Sequence, residues 1–106
     1  MAQFVVHADE SAWVTRADGV RQTTLYQEGP WVFSQVSIPP HLTLAEHLHP
    51  ANEYVYVMEG VLWEHDRAYR AGTFLLNEKG STHETSTRSE GCVLLVVWCG
   101  HIEYCK

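Results

Sequence analysis

Turn-forming residues recur along this chain at intervals of roughly eight to twelve positions, and they divide it into segments too short for long helices. No apolar pattern at positions i, i+3, i+4 and i+7 is sustained between two helix caps, although 8–13 can form one helical turn. The segments between the turns are rich in β-branched and aromatic residues, which favour strands. The sequence therefore predicts an all-β sandwich or barrel.

Glycine and proline residues mark the ends of the expected strands. Gly29 and Pro30 form a hairpin-like break, and Pro39 and Pro40 end the next segment because proline cannot donate to a strand ladder. Gly60 is expected to fold the chain back, since glycine adopts positive φ angles at little cost. The last run, CVLLVVWC, is expected to be buried on both faces. The expected strands cover 20–27, 31–38, 43–49, 53–58, 61–65, 68–72, 73–77, 82–86 and 92–99.

Length and charge limit how many domains the chain can form and which partners it can bind. The 106 residues suffice for one domain, and since no linker, repeat or low-complexity segment interrupts them, 1–106 is expected to be a single domain with its core at about 20–100. The formal net charge is −6 and the basic residues are scattered, which argues against a nucleic-acid partner. No apolar run is long enough to span a membrane, and no secretory signal opens the chain. A cytoplasmic location is therefore expected.

The chain has three cysteines, at positions 92, 99 and 105. They are odd in number and lack the CxxC spacing of zinc sites. We expect Cys92, Cys99 and Cys105 to be reduced structural thiols.

Histidine is unusually frequent, with seven in the chain, and two of them stand one residue apart in a strand-like segment. Because side chains alternate along a strand, His47 and His49 share one face, while Leu44 and Leu48 are expected on the other. Glu53 follows closely. These residues are either solvated surface groups near turns or part of a metal site.

A third histidine strengthens the metal interpretation. His83 lies in a later expected strand, shortly after Gly80, and two strands folded together can bring it beside His47 and His49. Three imidazoles and the Glu53 carboxylate form a mixed nitrogen and oxygen set that suits Fe(II), Zn, Mn, Ni or Cu rather than Ca or Mg. Four such ligands leave two positions open on an octahedral metal and none on a tetrahedral zinc, so catalytic and closed structural sites both remain open.

The spacing of these residues resembles the first motif of the cupin superfamily, G-x5-H-x-H-x3-4-E-x6-G. His47, His49, Glu53 and Gly60 match it, and His41 stands where the motif has its leading glycine.

The second cupin motif, G-x5-P-x-G-x2-H-x3-N, also has a counterpart. Gly72, Gly80 and His83 match it, whereas Glu78 replaces the proline and Thr87 replaces the asparagine. The resemblance covers roughly residues 20–100 and implies a small jelly-roll barrel.

Within the superfamily, the segment EGVLWEHDRAYRAGTFLLNEKGSTHETSTRSEGC resembles ChrR-type cupin domains. The resemblance implies that His47, His49, Glu53 and His83 bind one divalent metal inside the barrel. It also implies one of two functions. One is a small metal-dependent enzyme, such as a dioxygenase that cleaves diketones or hydroxyaryl ketones. The other is a non-catalytic metal-binding sensor or ligand-binding module, like the cupin domain of anti-sigma regulators.

We favour the enzyme hypothesis, with a small-molecule substrate and no assigned catalytic side chain. The apolar lining that such a site needs is expected from Val55 and Val57, which share parity with Glu53. Tyr54, Tyr56 and Met58 lie on the face opposite Glu53. Together with Leu44 and Leu48 they form an apolar set that is either packing under a neighbouring segment or a homodimer surface. Further candidates for the lining are Phe33, Gln35, Trp63 and Phe74.

Overall fold

The computed structural model describes residues 2–100, and within them the chain forms nine β-strands and one short 3-10 helix. The all-β prediction is confirmed, and the expected helical turn is the 3-10 helix Ala8–Glu10. The strands are β1 Val14–Thr15, β2 Arg21–Glu28, β3 Trp31–Ile38, β4 Thr43–Leu48, β5 Glu53–Glu64, β6 Arg67–Arg70, β7 Phe74–Asn77, β8 Thr82–Ser86 and β9 Cys92–Cys99.

All of these strands pair antiparallel in one curled sheet of order β1-β2-β3-β9-β5-β8-β4, with β6 and β7 also paired to β5. The long strand β5 joins the two halves. Its residues 53–60 pair with β9, whereas 61–64 pair with β6, and Trp63 lies opposite Ser86 of β8. The sheet therefore curls around its own interior, which confirms the predicted jelly roll.

The hydrophobic core lies inside this curl. Over residues 92–97 of β9 the side chains alternate between buried and half-buried, and only at the end of the strand is Trp98 half-buried and Cys99 buried. The expectation that this strand is buried on both faces is therefore wrong. The sheet curls around one face of β9, and the other face is less covered. The buried core consists of Val20, Ile38, Val55, Val57, Leu62, Cys92, Leu94 and Val96.

Gly60 does not turn the chain back, and the two strands expected around it form the single strand β5. An extra residue on β5 shifts its register against β9 between Val57 and Glu59, and Gly60 follows with a φ of 73°. A Cβ atom at this position would overlap the backbone carbonyl of Gly91. Glycine is required here for a bulge and a close backbone approach rather than for a hairpin.

A second bulge, on β4, changes which of its side chains face the interior. Leu44 pairs with Thr85 and His47 with His83, which leaves one extra residue on β4 between the two pairs. A one-residue insertion reverses the inward and outward alternation beyond it. Leu44 therefore lines the same cavity as His47, although plain alternation had placed it on the opposite face.

The cysteines differ in oxidation state. Cys92 is free and buried, as expected, and burial raises the pKa of its thiol to about 12. The prediction of a reduced thiol is wrong for Cys99, which is disulfide-bonded, because pairing depends on spatial approach that sequence spacing does not show. Cys105 lies outside the described residues.

Within residues 2–100, no helix is long and apolar enough to cross a membrane.

Replacing Gly60 by alanine tests the bulge in β5. We expect Gly60→Ala to lower the free energy of unfolding by about 3–5 kcal/mol, because strain at positive φ adds to a clash with the backbone of Gly91. The matched control is Gly72→Ala, since Gly72 also has a positive φ but has open space around its Cβ position. We expect it to cost about 1–2 kcal/mol. Equal losses in urea unfolding of the two variants would contradict the close approach.

Candidate metal site

The pairing of β4 with β8 brings His47 and His83 together. His47 lies directly opposite His83 in the ladder, so both side chains lie on the same face of the sheet and line the cavity. Their ring centroids are 4.9 Å apart. Strand pairing and the bulge on β4 together place the two rings in contact.

His49 lies just beyond β4 and is held by its backbone. Its N–H donates to the carbonyl of Ser81 at 2.9 Å, and its carbonyl accepts from the N–H of Gly80 at 2.8 Å. These two bonds tie the segment after β4 to the turn before β8. The His49 ring is consequently 4.5 Å from that of His83 and 4.8 Å from that of His47, centroid to centroid.

The three imidazoles form a compact donor set. Each offers one nitrogen, and these nitrogens lie within 4.8 Å of one another. His47 is exposed, His83 is half-buried and His49 is 3% exposed. This arrangement can hold a metal ion with one side open to solvent.

Hydrogen bonding selects which nitrogen each ring presents. Nδ1 of His47 bonds the carbonyl of Ala45 at 3.0 Å, and Nδ1 of His83 bonds Oε2 of Glu64 at 3.2 Å. Nε2 of His49 is buried and has no hydrogen-bond partner among the described residues. A buried polar atom without a partner is costly, and a metal ion would satisfy it. The residues present therefore fit a metal.

The electrostatics favour an uncharged His49. Burial lowers its pKa from the ordinary value of 6.5, Glu53 opposes this effect, and the neighbouring His83 and His47 add to the lowering. A neutral imidazole has the lone pair that a metal requires.

Glu53 lies at the edge of this cluster. Its Oε1 is 4.0 Å from Nδ1 of His49 and accepts a hydrogen bond of 3.1 Å from Nδ2 of Asn77. The carboxylate lines the same cavity as the histidines but does not belong to the close group of nitrogens. Of the four ligands expected from the sequence, three thus converge closely and the fourth lies beside one of them.

Sequence reasoning missed Glu64, the carboxylate that contacts His83. By simple alternation from Glu53, position 64 points outward, away from the cavity. The bulge between Val57 and Glu59 reverses the faces of β5 and turns Glu64 towards His83. A glycine within a strand-like segment, here Gly60, is the signal of a bulge that could have revealed it.

The histidines open into a cavity of about 540 Å³, a size typical of small-molecule sites. Its wall is mostly aliphatic, with Gln22, Asn77 and Thr85 as polar neighbours. Arg16 and Asp18 lie at its rim and form an ion pair of 2.6 Å with each other.

The lining expected from strand parity is partly confirmed. Val55 lines the cavity, whereas Val57 is fully buried in the adjoining core. Trp63 instead stacks under Arg88, whose guanidinium carbon is 3.5 Å from the ring centroid, on a different surface. The other candidates that do not line the cavity are Phe33, Gln35 and Phe74.

Two of the three departures from the cupin motifs, His41 and Thr87, can be located in the structure. His41, which stands at the position of the leading motif glycine, has a φ of 58°, a left-handed conformation that is uncommon for residues other than glycine. The buried Thr87 hydroxyl donates to the carbonyl of Pro39 at 2.5 Å and accepts from the N–H of Leu42 at 3.1 Å. Thr87 thereby fixes the connection from β3 to β4.

A curled antiparallel shell with histidines from two successive motifs inside it defines a cupin. The chain belongs to the ChrR cupin-like domain family, whose model matches residues 1–103. A comparison with curated proteins finds no match.

Solved structures share this fold. The polyketide cyclase RemF from Streptomyces resistomycificus has a TM-score of 0.83 at 18% identity, covering 93% of this chain and 80% of that one. The anti-sigma ChrR of Rhodobacter sphaeroides, in complex with SigE, has a TM-score of 0.76 at 23% identity over 86% of this chain. This chain spans about half of ChrR, 51%. An acetylacetone dioxygenase from Acinetobacter johnsonii has a TM-score of 0.75 at 12% identity, covering 93% of this chain and 74% of that one.

Proposed function

We propose that the protein is a metal-dependent enzyme that carries out dioxygenase-type chemistry on a small oxygenated substrate. The observation that carries the proposal is the buried Nε2 of His49, which has no hydrogen-bond partner within residues 2–100 and lies beside two further imidazoles in a mostly apolar cavity. His47, His49 and His83 hold one divalent transition metal, with Glu53 as the fourth candidate ligand. When bound, a redox-active metal such as Fe(II) supplies Lewis acidity and reactivity towards dioxygen.

The cavity wall supports a neutral, largely apolar substrate. Among the lining residues that the structure describes, Arg16 is the only lysine or arginine, and its charge is neutralised by Asp18. The aliphatic wall excludes water, while Gln22 and Asn77 can donate hydrogen bonds to carbonyl oxygens. A diketone or hydroxyaryl ketone has these properties. The fold shared with an acetylacetone dioxygenase agrees with this substrate class.

A non-catalytic metal-binding sensor is the second candidate function. It is favoured by membership of the ChrR cupin-like family and by the fold shared with an anti-sigma protein. The same three imidazoles would then keep a metal without turnover.

The protein further presents an outer apolar face, which we define as Tyr54 and Tyr56 of β5 with Phe74 and Leu76 of β7. These residues pair across the ladder, Tyr54 with Leu76 and Tyr56 with Phe74. Phe74 is 61% exposed and Tyr56 is 44% exposed. We propose that this face forms a homodimer interface, since aromatic residues are enriched at interface cores.

Metal affinity tests the ligand set. We expect His47→Ala, His49→Ala and His83→Ala each to weaken Zn²⁺ binding by at least about 100-fold, because each removes a donor to the ion. We expect Glu53→Gln to weaken it by about 10-fold. The exposed His7 is the control, and His7→Ala should bind as the unmodified protein does. Chelator competition measures the five variants and the unmodified protein, and unchanged affinity in His49→Ala would contradict the site.

Oxygen uptake tests the reaction. Protein reconstituted with Fe(II) should consume dioxygen in step with loss of a substrate from a panel of diketones and hydroxyaryl ketones. His83→Ala should lose this activity. Absence of turnover with Fe(II), Mn, Ni, Cu or Zn, together with tight retention of zinc, would contradict the enzyme and favour the sensor.

The oligomeric state tests the outer apolar face. We expect light scattering to give twice the mass of one chain, and Phe74→Lys to give a monomer because it places a charge in the interface. Val14→Lys is the matched control, since Val14 is equally exposed, at 60%, but lies on β1, far along the sheet order. A monomeric unmodified protein would rule out this interface.

A further inference from the structure

Glu64 is a second carboxylate at the histidine cluster. Its Oε2 lies 3.2 Å from Nδ1 of His83, and its Oε1 accepts a hydrogen bond of 3.4 Å from the hydroxyl of Tyr69. The Glu64 side chain is 26% exposed and that of His83 is 13% exposed. The contact is therefore partly shielded from water, where hydrogen bonds to a charged group are stronger.

The backbone holds this carboxylate in place. Glu64 is the last residue of β5 and pairs with Arg67 of β6, while its neighbour Trp63 pairs with Ser86 of β8. Glu64 and His83 thus lie on two adjacent strands of one sheet. Because Tyr69 of β6 donates to the other carboxylate oxygen, the rotamer of Glu64 is restrained from both sides.

We propose that Glu64 is a positioning residue for the metal site. Its Oε2 accepts a hydrogen bond from the N–H of Nδ1 of His83, so that the ring keeps its lone pair on Nε2 for the ion. This inference rests on the proposed metal-binding function. Glu64 does not touch the ion; it acts through His83.

The other two histidine rings lack a comparable hydrogen bond from Nδ1 to a carboxylate. Nδ1 of His47 bonds a backbone carbonyl, and Nδ1 of His49 is 4.0 Å from Glu53, beyond hydrogen-bonding distance. Among the three rings, His83 is therefore the one hydrogen-bonded to a carboxylate. Loss of that carboxylate should affect His83 more than its neighbours.

The test compares Glu64→Ala, Glu64→Gln and a matched control, Glu84→Ala. Glu84 is the exposed residue that directly follows His83 on β8, so the control removes the same charge nearby without the hydrogen bond. Zn²⁺ affinity, measured by chelator competition, should fall about 10–100-fold in Glu64→Ala. The loss should be smaller in Glu64→Gln, whose amide oxygen still accepts a hydrogen bond from Nδ1–H of His83. Glu84→Ala should bind zinc within about twofold of the unmodified protein.

A second readout separates this inference from the proposed function. Nitrogen-15 NMR of the metal-free protein reports which nitrogen of His83 carries the proton. We expect the proton on Nδ1 in the unmodified protein and in Glu64→Gln, and a shift towards Nε2 in Glu64→Ala. An unchanged His83 tautomer in Glu64→Ala, or equal zinc affinities of Glu64→Ala and Glu84→Ala, would overturn the inference. Failure of the unmodified protein to bind zinc would overturn the metal site alone, since the tautomer still tests the role of Glu64.

Discussion

The pairing of β4 with β8 is the interaction on which the site depends. It places His47 across from His83, and the extra residue between Leu44 and His47 allows both of these β4 side chains to face inward. The backbone bonds of His49 to Ser81 and Gly80 then add the third ring. A one-residue change of register would turn His47 out of the cavity and separate it from the other two.

The cluster of His47, His49 and His83 destabilises the folded protein when no cation is bound. Three imidazoles lie with ring centroids 4.5–4.9 Å apart, and the nearby histidines and burial make protonation of His49 unfavourable. Leaving its buried Nε2 without a partner costs roughly 1–3 kcal/mol. Residues arranged at this cost are typical of functional sites, since packing alone would favour apolar side chains here. A divalent ion would satisfy the same nitrogen that is otherwise unpaired.

The sequence predicted several strand positions well because these depend on local patterns. β3, β8 and β9 have the expected bounds, and the two-motif spacing selected three histidines that converge in space. The motif could not show that Glu53 lies beside the cluster, with its carboxylate bonded to Asn77.

Most of the errors concerning the site have one physical origin. Each bulge inserts one residue and inverts the alternation after it, so parity placed Leu44 on the wrong face and concealed Glu64. Gly60 was interpreted as a turn because glycine serves both turns and bulges, and only the close approach of Gly91 distinguishes them. Such approaches arise from non-local pairing, which single-strand periodicity does not contain.

The most direct test of the central claim is a crystal structure of the zinc-loaded protein with anomalous diffraction recorded on both sides of the zinc absorption edge. We expect one anomalous peak inside the barrel, within about 2.0–2.1 Å of an imidazole nitrogen from each of His47, His49 and His83. No peak inside the barrel, or a peak bound elsewhere with the three rings unligated, would contradict it.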